Sequence, residues 1–131
     1  MSWIPNNIEI KAVLVLGPSE RYAYWVKKVA DQHQVWSLWQ EGGWALTGDA
    51  MNCILVPVWP HFKYAELCAE GAWAGYQPRS IPLEDWLNRW IPGMQQDRRQ
   101  VAVFPTISDK GICVEPKRLE QDLCNELSNY E

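Results

Sequence analysis

The chain has 131 residues and a mass of 15.2 kDa, close to one ordinary domain, so we expect residues 1–131 to share a single core. Hydrophobic residues make up 47% and charged residues 21%, a balance that excludes a largely disordered protein. The net charge is −4, and basic residues cluster only in pairs. This pattern argues against duplex nucleic acid as a partner, because neutralising phosphates requires a clustered basic face.

The first fifteen residues predict neither a secretory signal nor a membrane anchor. They contain Pro5, Glu9 and Lys11 and lack the uninterrupted apolar region of a signal peptide. The longest apolar runs, around 12–16 and 54–58, are too short to span a bilayer. We therefore expect a cytoplasmic protein with no membrane contact.

The cysteines predict no metal centre. They do not form a CxxC pair, and no histidine lies at zinc-ligand spacing from them. We interpret them as reduced, mostly buried thiols, and we expect neither a metal nor a cofactor. The four positions are Cys53, Cys68, Cys113 and Cys124.

Two helices are predicted at the N-terminus. Residues 7–16 fit both strand alternation and a helical face, and we favour the helix. Gly17-Pro18 separates it from a second helix that runs to about residue 32. Apolar residues recur there at helical spacing: Tyr22, Trp25, Val26, Val29 and Ala30.

The next segments predict strands. Residues 35–39 and 44–47 flank Gly42-Gly43 and predict a hairpin. Residues 53–59 are nearly all apolar, which predicts a central strand, buried on both faces and paired with that hairpin. Pro57 lies near the end of this strand, where its missing amide donor does least harm.

Helical spacing returns in residues 62–69 and 82–90. Gly71 is expected to end the first of these helices, and Pro92-Gly93 the second. Residues 100–104 and 111–114 predict a last hairpin, and Pro116 opens a C-terminal helix. Its apolar stripe comprises Leu119, Leu123, Cys124 and Leu127. Together these elements predict an α+β fold, with about five strands in a mainly antiparallel or mixed sheet and about four helices.

Several ordered motifs resemble one bacterial family. Residues 57–77 read PVWPHFKYAELCAEGAWAGYQ, with GWAL before them at 43–46. WIPGM follows at 90–94 and VAVFPT at 101–106. Together these motifs resemble the domain-of-unknown-function 2750 family over about residues 21–127. The resemblance implies a small cytoplasmic bacterial protein and brings no activity, cofactor or catalytic residue.

A weaker similarity lies in the order of the elements. A strand, a turn and a second strand followed by a helix is similar to the N-terminal domain of SseB-like proteins. That similarity implies a binding role at most.

The triplet Trp59-Pro60-His61 places an imidazole between a strand and a helix. His61 could act as a general base, contact an anion, or cap the helix, and the cap is the favoured interpretation. A nucleophilic pair with Cys68 is not expected, since seven helical residues separate the two side chains by roughly 10 Å. Cys68 is expected in the core, as are Cys53 and Cys113 within strands.

Paired carboxylates do not predict acid-base catalysis here. Glu66 and Glu70 fit a solvated helix face, while Glu84 and Asp85 fit the first turn of a helix. The glycine pairs match no phosphate-binding loop. We therefore predict no catalytic residue, and an enzyme is the less favoured interpretation.

Nine tryptophans are many for one domain, so some are expected at the surface, where Trp commonly anchors interfaces. Trp73, Tyr76 and Arg79 lie in a predicted aromatic loop beside His61. This loop either plugs the edge of a sheet or forms a binding surface, and the sequence leaves both open.

Two functions remain. The favoured one is a non-catalytic protein-binding domain, and a narrower form is an immunity protein that neutralises a partner toxin. The alternative is a small-molecule-binding protein or small enzyme with its site around His61, Trp73, Tyr76 and Arg79. The candidate binding residues are Trp59, His61, Tyr64, Trp73, Tyr76 and Arg79. The sequence leaves the oligomeric state open.

Overall fold

The computed structural model describes residues 3–48 and 51–129. The helices are α1 (Asn7–Leu14), α2 (Pro18–Gln32), α3 (Phe62–Leu67), α4 (Leu83–Asp85), α5 (Ile91–Asp97) and α6 (Pro116–Ser128). The strands are β1 (Gln34–Gln40), β2 (Gly43–Trp44), β3 (Thr47–Gly48), β4 (Ile54–Val58), β5 (Gln77–Pro82), β6 (Gln100–Val103) and β7 (Ile112–Val114). The predicted α+β class is confirmed.

The strands form two sheets, ordered β2-β1-β5 and β3-β4-β6-β7. Neighbouring strands are antiparallel, except that β4 and β6 run parallel. Trp36 and Trp59 join the sheets through a pair of backbone hydrogen bonds of 3.0 and 2.8 Å. The buried Ser37 hydroxyl adds a hydrogen bond of 2.6 Å to the Pro57 carbonyl. The described residues thus form seven strands, more than the expected five.

Strand β4 is internal, as predicted, and four of its five residues are buried. Strand β3 pairs only with Ile54 and Leu55, so the missing amide of Pro57 lies beyond the end of that pairing. The expected pairing with the 35–39 and 44–47 hairpin is present in part. Thr47 pairs with Leu55, and Trp36 bridges Trp59, while β6 occupies the other edge of β4.

The predicted hairpins are present. Gln40 pairs with Gly43 across a tight turn, and Gly42 and Gly43 supply the positive φ angles of 108° and 146° that the turn requires. Residues 44–47 divide between the sheets, since β2 ends at Trp44 and Thr47 begins β3. Strands β6 and β7 form the second hairpin.

Strand β5 lies where an aromatic loop was expected, and this expectation was wrong. Its residues pair antiparallel with β1 from Gln34↔Pro82 to Trp39↔Gln77. Two prolines hid it, because proline is depleted in strands. They are tolerated here since β5 is an edge strand, where an absent amide donor leaves few ladder bonds unmade.

Pro92-Gly93 does not end the helix that begins at Leu83, contrary to expectation. Residues Trp86–Trp90 widen into a π turn, in which the Ile91 amide donates to the Trp86 carbonyl. This wider turn lets the chain continue as α5 with Pro92 in its first turn, where a helical amide needs no partner.

The remaining helices follow the predictions, with two corrections. Residues 7–14 are helical, as favoured, and α2 and α6 begin at their prolines. Helix α3 ends at Leu67, so Gly71 does not end it and instead opens a 3-10 turn at Gly71–Trp73. On α6, Leu119 and Leu123 are buried but Cys124 is exposed.

The cysteines are less buried than predicted. Cys68 is buried, Cys53 is half-buried, and Cys113 and Cys124 are exposed. Cys113 lies on β7, the edge strand of its sheet, with its neighbour Val114 on the buried side. Alternation along an edge strand therefore turns this thiol outward.

Trp25, Trp59 and Trp86 form the centre of the core together with Phe104 and Tyr64. The other six tryptophans are half-buried. Among the described residues, no helix has both the length and the hydropathy to cross a membrane.

Candidate functional site

Helix α1 docks on its own chain through a polar network. The Asn6 side chain caps the helix by accepting a 2.8 Å hydrogen bond from the Glu9 amide. Glu9 accepts hydrogen bonds from the Tyr24 hydroxyl (2.6 Å) and the Trp3 indole (3.3 Å). The Tyr24 and Tyr64 hydroxyls are 3.0 Å apart. These bonds fix α1 against α2 and α3.

Helix α1 is apolar on both sides. Ile10, Val13 and Leu14 pack against the core. Ile8 and Val15 point away from it and are 80% and 83% exposed. The apolar residues of a surface helix normally face the core, so two large exposed aliphatic residues on the outer side of α1, beside Lys11, are unusual.

A groove begins beside Val15, with a volume of about 390 Å³. Helix α3 contributes one wall through Tyr64, Leu67 and Cys68, and the loop after β6 contributes the other through residues 105–108. Val15, Leu67 and Ile107 are its exposed apolar residues, with Leu67 at 46% and Ile107 at 75% exposure. An adjoining cavity, which shares Cys68, Glu70 and Ile107, reaches Trp73. We refer to these two cavities together as the α1–α3 groove.

The loop wall of the groove is held by Arg21. Its buried guanidinium forms an ion pair with Asp109 and donates hydrogen bonds to the carbonyls of Phe104 (3.2 Å) and Leu16 (2.6 Å). Asp109 also accepts a 2.8 Å hydrogen bond from the Gly111 amide. One side chain thus ties the end of α1, the start of the loop and the loop tip together.

The groove is poorly suited to nucleophilic or acid-base chemistry. Burial raises the pKa of the Cys68 thiol to about 11, so the thiolate is scarce at neutral pH. The thiol donates to the Pro105 carbonyl at 3.4 Å. Burial also raises the pKa of Tyr64, to about 12. The groove therefore offers mainly apolar surface beside a buried thiol and a buried phenol.

His61 caps α3, as favoured. Its Nδ1 accepts a 3.1 Å hydrogen bond from the Lys63 amide. Its ring lies among aromatic rings, 5.2 Å from Trp3 and 6.1 Å from Trp36 between centroids. Burial, with Lys63 nearby, lowers its pKa.

The other predicted site residues are divided among three places. Trp59 is buried, donates to the Pro105 carbonyl at 2.8 Å and contacts Trp73, which lines the groove. Tyr64 also lines the groove. Arg79 lies on β5 with its guanidinium 4.6 Å from the centre of the Trp39 ring. Tyr76 is half-buried just before β5. Their joint role as a ligand site stays a prediction.

Sequence reasoning missed Val15, Leu67 and Ile107. The expectation of surface tryptophans led away from them, because the half-buried tryptophans pack against other rings, such as Trp44 against Trp90 and Trp90 against the buried Trp86. The exposed large hydrophobic residues are mainly aliphatic. A signal was present in residues 8–15, where apolar residues fit two faces at once. As expected, Glu66 is solvated on α3, whereas Glu70 is exposed but lies beyond the end of the helix.

Among the described residues, no group of three or more His, Cys, Asp or Glu side chains could hold a metal ion.

The comparison that decides the family extends from within α2 to within α6. A family model described as a protein of unknown function (DUF2750) matches residues 22–123. The chain belongs to the DUF2750 family. The matched range lies within the predicted 21–127. Neither a curated protein nor a solved structure matches this DUF2750 protein.

Proposed function

We propose that this DUF2750 protein is a non-catalytic protein-binding domain whose α1–α3 groove takes an apolar segment of a partner. The observation that carries the proposal is the apolar outer face of α1, which runs into a groove bordered by Val15, Leu67 and Ile107. Contiguous exposed apolar surface of this kind marks interaction sites more often than isolated apolar residues do.

The charges around the groove specify the partner further. Glu70 lines the groove and Glu66 lies on the solvated side of α3 beside Leu67, while Lys11 lies one turn before Val15 on α1. Lys63 of α3 donates to the Pro5 carbonyl at 3.4 Å, so the carboxylates of Glu66 and Glu70 set the charge beside the groove. We expect an amphipathic helix whose apolar side rests on Val15, Leu67 and Ile107 and whose basic residues face α3.

A narrower form of the proposal is an immunity protein that neutralises a toxin. Its support is the small size, the net charge of −4 and a groove in which burial raises the pKa of the Cys68 thiol. In this form the partner is encoded beside the protein, and binding covers the partner's active site.

The test is a pull-down of the tagged protein from its own lysate with mass spectrometry, run beside size exclusion of the pure chain. The variants Val15→Glu and Ile107→Glu place a charge in the groove, and Leu46→Glu is the matched control at an exposed aliphatic residue outside it. We expect a stoichiometric partner that both groove variants bind at least about tenfold more weakly.

Equal binding by all three variants contradicts the groove as the site. A chain that elutes alone, with no partner retained, contradicts the protein-binding function. Neutralisation of the captured partner's toxicity by the wild type, lost in Val15→Glu, identifies the immunity form.

A further inference from the structure

Four basic side chains gather on the side of the molecule where α5, β6 and α6 meet. Arg89 lies in the π turn, Arg98 and Arg99 follow α5, and Lys117 lies in the first turn of α6. Within the described residues, none of these four side chains forms a salt bridge or a side-chain hydrogen bond. This grouping is notable in a chain with net charge −4.

Two cavities lie beside these residues and share Arg99. The first, of about 260 Å³, is open to solvent and is lined by Arg98, Arg99, Lys117, Gln95, Gln100, Glu115 and Pro116. The second, of about 250 Å³, is lined by Val56, Trp90, Met94, Gly93, Arg89, Asp97 and Arg99, and of its apolar side chains Trp90 is half-buried while Val56 and Met94 are buried. We refer to the two together as the Arg99 cleft. Its four basic residues outnumber the two carboxylates, Asp97 and Glu115.

The backbone holds Arg98 and Arg99 in place. The Arg99 amide donates to the Met94 carbonyl at 2.8 Å and the Arg98 amide to the Gln95 carbonyl at 3.3 Å, which forms a Schellman motif. Its left-handed position, normally glycine, is occupied by Arg98 with φ 58°. An arginine in this left-handed conformation costs free energy that glycine avoids. The backbone preference by itself therefore does not explain why Arg98 occupies this position.

We propose that the Arg99 cleft binds a small phosphorylated molecule that also carries a ring. The phosphate lies in the first cavity, where arginine forks match phosphate oxygens and Lys117 adds a positive charge. The ring lies against the half-buried Trp90 in the second cavity. Arg99 lies between the two parts and contacts both. A nucleoside phosphate has this chemistry.

The first test is isothermal titration of the full chain with ADP, inorganic phosphate and adenosine. We expect saturable binding of ADP, weaker binding of phosphate and no binding of adenosine. Arg99→Gln is expected to weaken ADP binding about tenfold or more, whereas Lys27→Gln, an equal loss of charge at an exposed site on α2, leaves it unchanged. Thermal melting of both variants checks that they are folded.

A second variant separates the two cavities. A Cβ at Gly93 meets no atom within 4 Å, so Gly93→Leu extends into open space beside Trp90, while Gly93→Ala serves as the small control. Gly93→Leu is expected to weaken ADP binding and to leave phosphate binding intact.

Three results overturn the proposal. One is the absence of saturable binding of ADP and phosphate at millimolar concentration. Another is an equal loss of binding in Lys27→Gln, which makes the attraction non-specific. The third is competition by a tetraglutamate peptide as strong as that by phosphate, which makes the cleft a site for acidic peptides.

Discussion

Arg21 and Asp109, 88 residues apart, form an ion pair that fixes one wall of the α1–α3 groove. The Arg21 side chain is almost completely buried, and that of Asp109 is 39% exposed. Because Ile107 lies in the loop that this pair holds, the shape of the proposed binding surface depends on a contact between α2 and the β6–β7 connection.

Removing Asp109 leaves a buried guanidinium without its counter-charge. We expect Asp109→Ala to lower the free energy of unfolding by about 2–3 kcal/mol, less than a fully buried pair costs because Asp109 keeps contact with water. Urea denaturation measures the change. The control variant is Arg118→Ala, which breaks an exposed ion pair with Asp122. It is expected to lower the free energy of unfolding by less than about 0.5 kcal/mol. Equal losses contradict a structural role for Arg21–Asp109.

The His61 cap predicts a pH dependence. The folded state lowers the pKa of His61 below its ordinary value of 6.5, so the unfolded chain binds a proton first as the pH falls. The stability from neutral His61 is therefore complete above pH 6.5 and declines below it. Protonation of Nδ1 also removes the acceptor for the Lys63 amide.

The measurement is the free energy of unfolding from pH 7.5 to 5 for the wild type and His61→Asn, which retains a capping oxygen. The wild type is expected to lose more stability than the variant below pH 6.5. Parallel curves contradict this origin of the pH dependence.

Cys68 and Cys124 are expected to differ in reactivity. Burial raises the pKa of Cys68 to about 11, whereas Cys124 lies exposed on α6. Iodoacetamide at pH 8 is expected to modify Cys124 at least about tenfold faster, since the thiolate is the nucleophile. Peptide mapping by mass spectrometry gives both rates, and they should converge in 6 M guanidinium. Fast modification of Cys68 in the folded chain contradicts its closed environment.

Gly111 follows the loop at a φ of 76°, and a Cβ there lies too close to the Val103 carbonyl oxygen and 3.0 Å from the Phe104 carbonyl carbon. Gly111→Ala is therefore expected to cost about 3 kcal/mol or more. Gly75→Ala is the control, because Gly75 has a similar φ of 89° with open space around it. It should show the conformational strain alone, about 1 kcal/mol. Thermal melting separates the two, and equal shifts contradict the clash.

The sequence determined the α+β class, the helices 18–32 and 116–128, both hairpins and the family. These follow from local periodicity and turn chemistry, which act over a few residues. The cap by His61 was also readable, since a side chain that accepts from an amide two residues on is a local interaction.

Only the tertiary structure decided the rest. The edge position of β5 made its prolines tolerable, and the π turn carried a helix past Pro92. The α1–α3 groove joins residues 15, 67 and 107, and the Arg99 cleft joins α5 to α6. No local pattern specifies such neighbours, because burial depends on which distant segments pack together. The same physics placed Arg21 beside Asp109.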